Sequence, residues 1–122
     1  MAQATMIDRT DTTHTIAGCC GTIAAPSLTE PQAEEYASWF KALADPTRVR
    51  ILNLLARNDE PICVCEIVDH FALGQPTISH HLKILKETCF VQAERRGTFM
   101  YYRINQNCVA GFPDAASRIM GR

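Results

Sequence analysis

Six cysteines in 122 residues carry most of the chemistry this sequence offers. Two form Cys63-Val64-Cys65, two are adjacent as Cys19-Cys20, and Cys89 and Cys108 stand apart. The N-terminus has no apolar stretch of the kind a secretory signal needs, which predicts a cytoplasmic chain. No apolar run approaches the ~18 residues of a membrane helix, so no membrane partner is expected. Disulfides rarely persist in a reducing cytosol, and that turns the thiols toward metal or redox chemistry. Sites made only of thiols select soft ions. An adjacent cysteine pair in a polar arm has no packing reason to exist. Cys89, beside Phe90, reads instead as a small buried hydrophobe, and Cys108 reads similarly, with a spare thiol for a second site as its alternative. His14 could add a nitrogen ligand for a borderline metal, but a lone histidine in a polar arm is expected to be solvated. His80 and His81 are adjacent, so on a helix they diverge, as helix surface and core edge rather than as a zinc pair.

Charge supplies the second signal. Residues 1–70 carry five cations against ten acids, a net of -5. Residues 71–104 carry Lys83, Lys86, Arg95, Arg96 and Arg103 against Glu87 and Glu94, a net of +3. A basic segment on an otherwise acidic chain is a local footprint for a polyanion.

These groups need elements to position them. Residues 1–28 are rich in Thr, Ala and Gly without a period, and are expected to form a mobile arm carrying Cys19-Cys20. Residues 29–122 are expected to form one domain. Thr29 and Gln32 have the spacing of a capping box ahead of a helix over about 31–44, with Tyr36, Phe40 and Leu43 on one stripe. Asp45-Pro46 opens a second helix, continued to about Arg57 by Val49, Leu52 and Leu55 and reinforced by Ile51 and Leu54. A short helix over about 64–72 turns Ile67, Val68 and Phe71 inward. After a tight connector through Gly74, a helix opened by Pro76 buries Ile78, Leu82 and Leu85 and leaves Gln75, Thr77, Ser79, His80, Lys83 and Lys86 mostly outward. Residues 90–95 and 99–104 alternate as strands around Arg96-Gly97-Thr98. A last helix over about 108–120 is weakened at its start by Gly111 and Pro113.

The expected fold is mainly α with a β-hairpin: a winged helix-turn-helix in the order helix-helix-helix-helix-hairpin-helix. Such a frame puts small polar donors at a helix start into the major groove of double-stranded DNA and carries a basic hairpin tip to the backbone.

Three segments also resemble one family. Residues 40–52 (Phe-Lys-Ala-Leu-Ala-Asp-Pro-Thr-Arg-Val-Arg-Ile-Leu), 62–67 and 75–85 (Gln-Pro-Thr-Ile-Ser-His-His-Leu-Lys-Ile-Leu) are similar to the ArsR/SmtB family of metal-responsive repressors. Residues 94–104 look like that family's wing. The resemblance spans about residues 30–105. It implies a homodimer, built largely from the first and last helices, that sits on operator DNA and leaves when an inducer binds. It places Gln75, Thr77, Ser79, His80, His81 and Lys83 on or near the recognition helix, and Arg95, Arg96 and Thr98 in the wing.

Cys63-Val64-Cys65 resembles the sensing motif of the arsenic-responsive branch. The third cysteine of that branch's best-known version falls at Val68 here. Some relatives carry a Cys-Cys pair in the arm, which implies a site of Cys63 and Cys65 completed by Cys19 or Cys20, within one chain or from the other subunit. The implied inducer is arsenite or antimonite, with Hg2+, Cd2+ or Pb2+ as alternatives and no organic cofactor. The zinc-sensing branch uses ligands on the last helix, where residues 106–122 hold no histidine and one acid, Asp114. Residues two apart in a helix do not face each other, so one ion can hold Cys63 and Cys65 only if that helix start is distorted. Such distortion lies about ten residues before the recognition helix, where it could bias the dimer away from operator geometry. A redox or persulfide sensor using the same cysteines is a second reading. A thiol enzyme is a third, disfavoured because the chain has no Cys-x-x-Cys, no βαβ pattern around the thiols and no Cys-x5-Arg loop.

Overall fold

The computed structural model describes residues 23–121. Its elements follow in the order α1 (Glu30–Ala42), α2 (Pro46–Ala56), β1 (Ile62–Cys63), α3 (Val64–Val68), α4 (Gln75–Glu87), β2 (Val91–Arg96), β3 (Phe99–Ile104) and α5 (Gln106–Met120). This is a winged helix-turn-helix, as the sequence predicts. His14, Cys19 and Cys20 lie outside the described residues.

Helix starts follow their capping residues. Thr29 accepts from the Gln32 amide at 3.3 Å while Gln32 accepts from the Thr29 amide at 2.9 Å, which satisfies two orphan donors reciprocally. Asp45 accepts from the amides of Thr47 at 2.8 Å and Arg48 at 3.2 Å, and Pro46 sits where its missing N–H is not needed. In α2 the buried face is set by Ile51 and Leu55, one turn apart. Val49 is 48% exposed, because two residues of helix carry it to the side opposite Ile51.

α3 ends at Val68 instead of reaching residue 72. Beyond it the chain tightens: the His70 amide donates to the Ile67 carbonyl and the Phe71 amide to the Val68 carbonyl, a three-residue spacing that turns toward Gly74. α4 buries Ile78, Leu82 and Leu85 completely, each contributing roughly 1.5–3 kcal/mol of transfer free energy. Its end corrects the reading of Cys89 as a buried hydrophobe. The Phe90 amide donates to the Leu85 carbonyl at 2.9 Å and the Cys89 amide to the Lys86 carbonyl at 3.0 Å. This closure turns Phe90 into the core and leaves Cys89 exposed, with φ at 66°. Cys108 is half-buried.

The three strands form one antiparallel sheet in the order β1-β3-β2. β2 includes Arg96, paired with Phe99, so the wing turns on Gly97 and Thr98 alone, with Gly97 at φ 64°. β1 pairs Ile62 with Tyr102 and Cys63 with Tyr101. α5 starts at Gln106, earlier than expected, because Asn105 caps it by accepting from the Asn107 amide at 3.1 Å. It runs through Gly111 and Pro113, with Phe112 and Ala115 packed inward. α1 and α5 lie side by side and antiparallel: Phe40 meets Phe112 at 5.2 Å between ring centroids, and Gln32 borders the same depression as Ser117.

Candidate thiol site and nucleic-acid interface

Cys63 and Cys65 straddle a change of backbone. Cys63 is the last residue of β1 and the N-cap of α3, extended at φ -64° and ψ 142°, whereas Cys65 lies in the first helical turn. The cap is held from below, since the Cys63 amide donates to Glu66 Oε1 at 3.3 Å. The two sulfurs therefore turn toward each other and stand 2.7 Å apart. No fraying of the helix is needed, because the first cysteine is outside it. Cys63 is buried and Cys65 exposed, so one sulfur is fixed by the core and the other opens to solvent. The hydrogen bond from Cys63, then partial desolvation and the neighbouring thiolate charge, push the Cys65 thiol up. Among the described residues no three His, Cys, Asp or Glu side chains gather as a metal site. Val68, at the position of the third cysteine in the resemblance, is half-buried and offers no ligand.

The expected DNA-contacting residues separate into two groups. Gln75, Thr77, His80 and Lys83 on α4, and Arg95, Arg96 and Thr98 on the hairpin, are all exposed. Ser79 and His81 are half-buried. His81 accepts at Nδ1 from Arg48 Nη1 at 3.1 Å, since a guanidinium can only donate. Arg48 also donates from Nε to the Ala42 carbonyl at the end of α1. This arginine, absent from the sequence-derived candidates, ties α1, α2 and α4 together; its position just after the Asp45 cap was the available signal. In the wing, Arg96 pairs with Glu94 at 2.9 Å and lies over the Tyr101 ring, 4.6 Å from its centroid. Arg96 holds the Glu94 carboxyl below the usual carboxylate range. Arg95 has no ion pair among the described residues.

A separate face is apolar. Phe40, Val49, Val109, Ile119 and Met120, on α1, α2 and α5, are each at least 40% exposed. An apolar cavity of about 200 Å³ opens beside it, bordered by Leu43, Leu52, Phe90, Cys108, Val109 and Phe112. Single exposed hydrophobes are ordinary, but several on neighbouring helices mark an interaction surface. No helix among the described residues is long and apolar enough to cross a membrane.

Residues 45–92 match the model for the bacterial regulatory protein, arsR family. The chain is 52% identical over 71 residues to the uncharacterized HTH-type transcriptional regulator MJ1325 of Methanocaldococcus jannaschii, covering 58% of this chain and 79% of that one. It is 46% identical over 66 residues to the transcriptional repressor SdpR of Bacillus subtilis, covering 54% and 71%. It is 38% identical over 77 residues to the arsenical resistance operon repressor of the same species, covering 63% and 72%. Among solved structures, the homodimeric winged helix-turn-helix domain Mb0332 of Mycobacterium bovis, a possible ArsR-family regulator, superposes with a TM-score of 0.63 at 29% identity, covering 78% of this chain and 87% of that one.

Proposed function

This chain belongs to the ArsR family of transcriptional regulators, and on that premise we propose that it is a dimeric repressor released from operator DNA when a thiophilic ion binds Cys63 and Cys65. The observation that carries the reading is the 2.7 Å approach of those two sulfurs at the start of α3. α3 packs on α4, with Ile67 in the same core as Ile78 and Leu82. An ion that pulls on the α3 cap therefore pulls on the helix that faces DNA.

The inducer is arsenite or antimonite. Sulfurs that stand side by side suit an ion with S–ion–S angles near a right angle, as in a three-sulfur pyramid, better than a linear Hg2+ that would force them apart. Likeness to an arsenical resistance operon repressor supports the same choice. A pyramid needs a third thiolate, supplied by Cys20 or Cys19 on the arm over residues 1–28. Hg2+ is the second reading, favoured by one observation: only two thiols meet at α3 among the described residues. Cd2+ and Pb2+ follow. The operator is read by Gln75, Thr77, Ser79, His80 and Lys83 with Arg95, Arg96 and Thr98, while His81 acts from behind through Arg48. The apolar face of α1 and α5 joins two subunits, as likeness to a homodimeric domain supports.

Fluorescence anisotropy of an operator fragment with reduced protein tests this directly. Near-stoichiometric arsenite releases the DNA, Cys63→Ser abolishes the response, and Cys19→Ser/Cys20→Ser weakens it without changing DNA affinity. Release by Hg2+ alone, indifferent to the arm cysteines, selects the second reading. Tight binding that ignores every ion overturns both.

A further inference from the structure

Cys89 and Cys108 lie outside the site proposed above. Cys89 occupies the left-handed position beyond α4 at φ 66°, where glycine would carry no Cβ penalty, and its side chain is exposed. The segment holding Cys108 is fastened to it through one residue. The Asn105 amide donates to the Phe90 carbonyl at 2.9 Å, and Asn105 Nδ2 donates to the Cys89 carbonyl at 2.8 Å. Cys108 follows in the first turn of α5, its own amide bonded to the Asn105 carbonyl at 2.9 Å. Burial, and then the nearby Cys89 charge, push the Cys108 thiol up.

We propose that Cys89 and Cys108 form a second dithiol, a redox site at which a peroxide converts the pair to a disulfide that fastens the end of α4 to α5. The exposed Cys89 reacts first. Its sulfur attacks one peroxide oxygen, an S–O bond forms, the O–O bond breaks, and one water leaves. The Cys108 sulfur then displaces the hydroxyl from the sulfenic acid. The S–O bond breaks, the S–S bond forms, and a second water carries away the remaining thiol hydrogen. Two electrons pass from the paired sulfurs to one peroxide. Asn105 keeps the two segments together between the steps. The bond would join the recognition helix to a helix of the apolar face, independently of the thiols at α3.

Hydrogen peroxide at one equivalent, followed by blocking of free thiols and a non-reducing tryptic map of the full chain, tests the pairing. Trypsin places Cys89 on residues 87–95 and Cys108 on residues 104–118, apart from every other cysteine. The expected result is a linked pair of those peptides, removed by dithiothreitol and absent in Cys89→Gly, a substitution that suits the local backbone. In Cys108→Ala the link is lost and a dimedone adduct appears on Cys89. Consumption of thiols without the 87–95/104–118 pair overturns the proposal, whether the product is a Cys63–Cys65 disulfide or over-oxidised Cys89.

Discussion

Cys63 and Cys65 show how a single backbone break decides what two side chains can do. In a continuous helix they would diverge; with Cys63 extended at the cap, their sulfurs meet. The motif was legible in the sequence, but the cap was not, because β1 is only two residues long and too short to show a period. The Cys63 hydrogen bond favours the protonated form of Cys65, so this group contributes stability below its unfolded pKa and loses it as pH rises through the folded value. An ion bound there, as proposed, would have to displace that proton. Inducer affinity should therefore fall as pH drops, and Cys63→Ser should move the Cys65 thiolate absorbance transition to lower pH. A transition that stays in place would remove the hydrogen bond as its cause. Cys89 gives a second prediction at this scale. Its left-handed conformation costs roughly 1–2 kcal/mol for a residue with a Cβ, so Cys89→Gly should raise stability by about 1 kcal/mol in denaturant unfolding. No change would mean the backbone already relaxes there. The sequence suggested burial for Cys89 because Phe90 beside it is apolar, and only the helix closure shows that the two neighbours point oppositely.

At the scale of elements, the buried faces were largely readable and the ends less so. Ile78, Leu82 and Leu85 follow helical spacing without interruption, and all three are fully buried. α2 holds too many apolar residues for spacing alone to choose a face, so the exposure of Val49 was not legible in the sequence. α5 runs through Gly111 and Pro113 because tertiary packing of Phe112 and Ala115 outweighs local propensity. α2 carries the cap that links the domain to acid pH. Asp45 is pushed up by desolvation, yet the amides of Arg48 and Thr47, with the charges of His81 and Arg48, bring its pKa below the ordinary value of 3.8. Stability from this group is present above the unfolded pKa and is lost as pH falls through the folded one. Asp45→Asn, which can still cap, should flatten the acid limb of the stability curve; an unchanged limb would assign it to other carboxylates. The wing divides two arginines that the sequence treats alike. Arg95→Ala should weaken operator binding and reduce its salt slope by about 1. Glu94→Gln should strengthen binding by releasing Arg96 from its pair. A weaker complex with Glu94→Gln would show that the pair holds the wing in its binding shape.

At the scale of the whole molecule, the recognition helix and the thiol pair lie on a shared core, while the apolar residues of α1 and α5 face elsewhere. That separation is what a repressor of two half-sites requires. One subunit presents one recognition helix, and affinity for an operator comes from holding two such helices at a fixed spacing. Periodicity made the helix-turn-helix legible and the family resemblance pointed to the first and last helices as the dimer face, but not to its residues, since Phe40 shares a stripe with Tyr36 and Leu43 until the fold leaves it 40% exposed. Val109→Glu replaces an exposed side chain, so the subunit should fold with an unchanged circular dichroism spectrum. The charge would be desolvated in a dimer, and sedimentation should show a monomer. Operator affinity should then fall about a hundredfold, the gain expected from linking two weak contacts, while the arsenite binding proposed for Cys63 and Cys65 should persist if the third thiolate comes from the same chain. If ion binding disappears together with the dimer, the arm cysteine belongs to the other subunit. A Val109→Glu protein that remains dimeric and binds operator normally would place the subunit interface on another face.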